Sequence, residues 1–80
     1  MNVNVEKIRS DVHEKIENLN LTRREKEILS YWALNLTYKQ IADLLNISNK
    51  TVRTHISNIY SKLGINSKNM LLLLLLENQE

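Results

Sequence analysis

The 80-residue chain has no cysteine, no proline and a single glycine, Gly64. Without cysteine there is no disulfide, no thiolate zinc site and no thiol nucleophile. Folds built from strands and tight hairpins rely on Gly and Pro at their turns, so this composition argues against one. An all-helical domain manages with Ser, Thr and Asn caps, and those are plentiful. Aromatic residues are also scarce, at three Tyr, one Trp and no Phe. No ladder of rings is therefore available to stack single-stranded bases. The longest apolar run, Met70 to Leu76, has seven residues, against the roughly 20 that a membrane-spanning helix needs. The first residues carry charge where a signal peptide has an apolar centre. The expectation is a cytoplasmic protein with no membrane partner. Its length makes one small domain, too short to hold a separate catalytic or nucleotide-binding unit.

Acid is missing from a long stretch of the chain. The net charge of +2 is unevenly spread: residues 1–20 sum to −1, 21–45 to +1, 46–69 to +4 and 70–80 to −2. No carboxylate occurs between Asp43 and Glu77. Lys50, Arg53, Lys62 and Lys68 hold the +4 alone. Such a segment fits a surface that meets a polyanion, although a chance cluster of solvated lysines has the same arithmetic.

Apolar residues recur at helical spacing throughout. Val5, Ile8, Val12, Ile16 and Leu19 step by 3 or 4, which predicts an amphipathic helix ending near Asn18–Asn20. Thr22 and Glu25 form a T-x-x-E capping box that opens a second helix. This helix has Ile28, Leu29, Trp32 and Ala33 on one face, with Trp32 expected in the core. Asn35 closes it, because Asn tolerates the left-handed conformation of a C-terminal cap. Thr37 and Gln40 form a second capping box for a short helix to about Leu45, with Ile41, Ala42 and Leu45 inward. Ser48 caps a fourth helix that runs to about Leu63 and stops at Gly64. A last helix follows Asn66-Ser67 and runs to about Leu76.

The third and fourth helices are separated by only Asn46, Ile47 and the Ser48 cap. A short helix, a tight turn and a longer helix outline a helix-turn-helix, the DNA-binding form of which lays its second helix in the major groove. Turning 100° per residue from Val52, Ile56, Ile59 and Leu63 fall within about 40° of it. Lys50, Arg53, Thr54, Ser57, Asn58 and Ser61 cover the far side. Short polar groups permit close approach to base edges, and cations reach guanine or phosphate. A merely solvated helix usually pairs its Lys with Glu at i, i+4, and this face has no acid.

These segments carry a resemblance. Leu21-Thr22-Arg23-Arg24-Glu25-Lys26-Glu27-Ile28-Leu29, Lys39-Gln40-Ile41-Ala42 and the run Ile47-Ser48-Asn49-Lys50-Thr51-Val52-Arg53-Thr54-His55-Ile56-Ser57-Asn58-Ile59-Tyr60-Ser61-Lys62-Leu63-Gly64 resemble the LuxR/GerE-type helix-turn-helix family over about residues 21–76. The resemblance implies an all-α fold, a four-helix DNA-binding domain at 21–80 preceded by an N-terminal amphipathic helix or extension at 1–20. It implies a bacterial transcription regulator that binds pseudo-palindromic double-stranded DNA as a homodimer. It implies base contacts from the position of Arg53, with Thr54 and Ser57 beside it, and phosphate contacts from Thr37, Lys39, Lys50, Thr51 and Lys62; the residues of the fourth helix themselves add Lys50 as a base contact and His55 and Asn58 as phosphate contacts. Four positions depart from the family's usual residues: Asn35 for Gly, Tyr38 for Asn, Gln40 for Glu and Lys68 for Arg. Lys68 thereby gives up bidentate bonding.

Leu71 to Leu76 sweep fully around a helix, more than the neighbouring small core can cover. The excess either packs on the N-terminal helix or pairs with a second copy. The resemblance favours a homodimer through Leu71, Leu72, Leu75 and Leu76, and RNA polymerase or another regulator stands as a further partner. Two other readings fit parts of the chain. One is an interaction protein that pairs with a longer LuxR-type factor and holds it inactive. The other is a sigma region 4-like domain, which Lys62-Leu63-Gly64 and the leucine helix suit less well. No nucleophile–base pair, metal cluster or phosphate loop is present, so neither an enzyme nor a cofactor is expected. His13 and His55 lie in different segments without arranged carboxylate partners, a poor metal site.

Overall fold

A computed structural model describes residues 4–77. Residues 1–3 and 78–80, the ends of the two expected segments, lie outside the described residues. Among the described residues are five helices and no strand: α1 (Val5–Glu17), α2 (Arg23–Ala33), α3 (Tyr38–Leu45), α4 (Asn49–Leu63) and α5 (Lys68–Leu76).

Each helix begins where a short polar side chain replaces the missing intrahelical partner of an N–H group. Asn4, Thr22, Thr37, Ser48 and Ser67 accept from the backbone N–H three residues on. Both capping boxes close in full, with Glu25 and Gln40 accepting from the N–H groups of Thr22 and Thr37 at 2.9 Å. Among the described residues, three turn left-handed to end helices: Asn35 (φ 73°), Asn46 (φ 57°) and Gly64 (φ 70°). Asn46 makes the turn between α3 and α4 as tight as it is, a role its sequence position alone does not reveal.

One core joins all five helices: Ile16 from α1, Ile28 and Leu29 from α2, Ile41 and Ala42 from α3, Val52, Ile56 and Ile59 from α4, and Leu71 and Leu75 from α5. The packing pairs are α3 on α4, α2 on α4, α2 on α3, α1 on α5 and α1 on α2. The N-terminal helix therefore forms part of the common core. Two lysines fix its place. Lys15 donates to the carbonyls of Leu74 (3.2 Å) and Glu77 (2.7 Å), closing the C-terminus of α5. Lys26 donates to the Glu17 carbonyl at 2.6 Å, closing α1. Cations at helix C-termini also oppose the negative end of the helix dipole. The apolar stripe of α1 is only partly used, since Val5 and Ile8 remain 60% and 41% exposed.

The leucine run divides by position around α5. Leu71 and Leu75 are 0% and 2% exposed, within their own chain. That corrects the expectation that these two form a dimer surface, because a side chain already surrounded by its own core has no area left for a partner. Leu72 is half-buried, and Leu76 is 57% exposed. The free apolar stripe is instead Met70, Leu73 and Leu76, of which Leu73 is the most exposed at 70%.

Candidate nucleic-acid interface

The site is the solvent side of α4. Val52, Ile56 and Ile59 are buried, and they anchor the helix on α2 and α3 with its opposite side outward. Lys50, Thr51, Arg53, Thr54, Ser57, Asn58 and Ser61 are all exposed, and His55 is half-buried on the flank. Lys50 and Arg53 have no carboxylate partner among the described residues. The helix thus presents two free cations and a row of short hydroxyl and amide groups.

The expected phosphate contacts differ in how free they are. The Thr37 oxygen accepts from the Gln40 N–H at 3.1 Å, leaving its own O–H able to donate to an anion. The Thr51 hydroxyl meets the Ser48 hydroxyl at 2.9 Å, beside the first turn of α4. There the N–H groups and the helix dipole favour negative charge. Lys39 is exposed and pairs with Asp43 at 3.0 Å, an arrangement of small energetic weight that a phosphate can replace.

Lys62 is different, because its ammonium is already held in an ion pair to a buried carboxylate. Its Nζ donates to both carboxylate oxygens of Glu25 at 2.9 Å. Glu25 is 6% exposed, and it is the buried charged residue of the core. A buried carboxylate needs its counter-ion far more than a solvated phosphate does. The hydrogen bonds from Lys62 and from the Thr22 backbone hold the Glu25 carboxyl below its ordinary value of 4.5, outweighing the burial that would raise it. Sequence reasoning assigned Glu25 to its cap and missed this pairing, which joins positions 37 residues apart.

It also missed what surrounds Arg53. The Arg53 guanidinium carbon lies 5.2 Å from the centroid of the Tyr38 ring. Tyr38 in turn stacks on Trp32, with centroids 4.9 Å apart and planes inclined by 5°. Trp32 is half-buried at the edge of the core, and its indole N–H donates to the Tyr60 hydroxyl at 2.9 Å. Tyr38 and Arg53 line an open cleft along α4 that also includes Ser57, Ser61 and Asn66. His13 and His55 stand on different helices, and no group of three His, Asp or Glu converges on a metal position among the described residues. No helix of the described residues is long and apolar enough to cross a membrane.

A short helix, a tight left-handed turn and a longer helix with a cationic, acid-free outer side define a helix-turn-helix domain of the DNA-binding regulator class. The chain belongs to the luxR family of bacterial regulatory proteins, whose pattern matches residues 19–75. It is 43% identical over 60 residues to the spore germination protein GerE of Bacillus subtilis, covering 75% of this chain and 81% of that protein. It is 55% identical over 47 residues to the Fimbriae Z protein of Escherichia coli K12, covering 59% of this chain and 22% of that protein. With the transcriptional activator protein AnoR of Acinetobacter nosocomialis the identity is 39% over 64 residues, or 80% of this chain and 27% of that protein. The chain thus spans about a quarter of the length of several of its relatives. No solved structure matches it significantly.

Proposed function

We propose that this chain regulates transcription in the bacterial cytoplasm by binding a pseudo-palindromic DNA duplex as a homodimer, with α4 of each copy in the major groove. The observation that carries the reading is the outer side of α4, where every exposed side chain is cationic or short and polar and none is acidic. Lys50, Arg53, Thr54 and Ser57 are assigned to base edges. Thr37, Lys39, Thr51, His55 and Asn58 are assigned to phosphates, as is Lys62 through the part of its side chain that stays exposed beside Glu25. Family membership supports the DNA partner. The exposed stripe Met70, Leu73 and Leu76 on α5, with Leu72 at its border, supports pairing of two copies. Burying large apolar side chains contributes about 1.5–3 kcal/mol each, so two copies of this stripe give a substantial association term.

The test is affinity for promoter duplexes measured across a salt series. Neutralising several phosphates per copy makes the logarithm of the binding constant fall linearly and steeply with the logarithm of salt concentration. Absence of duplex binding even at low salt, together with tight binding to a longer family member, would favour the antagonist reading instead.

A further inference from the structure

Four side chains from four helices stand in one column beside α4. At its far end Lys68, at the start of α5, places its Nζ 4.1 Å from the Trp32 ring centroid and donates to Asn35 Oδ1 at 2.8 Å. Trp32 of α2 stacks on Tyr38 of α3 at 4.9 Å. Tyr38 meets Arg53 of α4 at 5.2 Å. Each ring is held from outside the column: Trp32 by its bond to Tyr60, and Tyr38 by its place in the first turn of a fully capped helix. The aromatic pair is thus a fixed wall, and the long, otherwise free Arg53 side chain leans on it. A guanidinium packed against an aromatic ring gains electrostatic attraction from the ring quadrupole. It keeps its N–H donors at the edge of its plane, where bidentate contacts to guanine are made. Arginine surrenders much side-chain freedom when fixed, so a wall that restricts it beforehand lowers the cost of binding.

We propose that Tyr38 is a positioning residue for DNA readout, holding Arg53 poised for a base contact and thereby setting the specificity of the site. The inference rests on the proposed DNA binding, and the contact between Tyr38 and Arg53 is its independent observation. Tyr38 has no assigned role in the proposed contacts, and the cation at the far end of the column ties its wall to the start of α5.

The experiment begins by selecting a preferred duplex from a random library with the full chain. Binding to that duplex and to a scrambled one is then compared for the wild type, Tyr38→Phe, Tyr38→Leu, Arg53→Ala and the double variant Tyr38→Leu/Arg53→Ala. Tyr38→Leu keeps apolar bulk and removes the π face. It is expected to weaken binding to the selected site by about two- to fivefold and to leave the scrambled duplex unaffected. Tyr38→Phe is expected to match the wild type. Tyr38→Leu is expected to add nothing once Arg53 is absent. Equal losses with and without Arg53, or a Phe variant as weak as the Leu variant, would overturn the proposal while leaving the DNA-binding reading standing. Failure of the wild type to select any duplex would overturn both. In the free protein, the Arg53 side-chain protons are expected upfield by the ring current of Tyr38. Unshifted signals in the wild type would sink the brace independently of DNA.

Discussion

Helices α4 and α5 each bury one side in the same core and offer the other to solvent, yet their free sides are chemical opposites. The outer side of α4 carries Lys50, Arg53, Thr54, Ser57, Asn58 and Ser61, all exposed. That of α5 carries Met70, Leu73 and Leu76. The first has charge and hydrogen-bonding groups but no large apolar side chain, so it suits a hydrated polyanion. The second has apolar area and no charge, so it suits another apolar surface. One small fold therefore separates the two tasks of the proposed dimer, reading and pairing, onto consecutive helices joined at Gly64.

The same comparison explains what could be read from the chain. On α4 the polar and apolar positions alternate at helical spacing, so the buried stripe Val52, Ile56 and Ile59 was legible from periodicity. The caps were legible as well, because Thr22, Thr37 and Ser48 are bonds between neighbours in sequence. On α5 six consecutive leucines have no periodicity, and nothing local says which of them turn inward. Only the docking of α1, with Lys15 on the carbonyls at the end of α5, resolves that. The Glu25–Lys62 bond and the contact of Tyr38 with Arg53 were hidden for a related reason, since each joins different helices.

The largest expected effect contrasts two leucines two positions apart. Leu71→Ala removes a fully buried side chain and is expected to cost about 2–5 kcal/mol of stability. For a domain of this size that lowers the thermal midpoint by roughly 10 °C or more. Leu73→Glu is expected to leave the far-UV circular dichroism unchanged and to shift the mass in solution from dimer to monomer. Thermal melts and sedimentation of both variants check this. If Leu73→Glu unfolds the protein, the division of α5 into an inner and an outer side is wrong. If it folds and stays dimeric, pairing lies on another surface, with the groove between α1 and α5 the next to examine. That groove has a volume of about 360 Å³ and is lined by Ile8, Val12, Leu72 and Leu76 among others.

A smaller effect sharpens how α4 is held on α2. In the folded chain the Glu25 carboxyl ionises below its ordinary value of 4.5, chiefly through Lys62. The unfolded chain therefore binds the proton more readily across the interval between the two values. The stabilisation is fully present above the ordinary value and is lost as the pH falls through the lowered one. Urea melts between neutral pH and pH 3 are expected to show stability declining in that acid window. Glu25→Gln is expected to be less stable than the wild type at neutral pH and to decline less on acidification. A variant with the same acid dependence as the wild type would assign the decline to other carboxylates.

Base readout by the outer side of α4 is most exposed to test at Arg53. At fixed salt, the ratio of affinities for the selected and scrambled duplexes is measured for the wild type and for Arg53→Ala. A loss of about 1–3 kcal/mol is expected on the selected duplex, with a much smaller loss on the scrambled one and relaxed preference at one base position of each half-site. An unchanged ratio, or an equal loss on both duplexes, would contradict base readout by Arg53 from this side of α4.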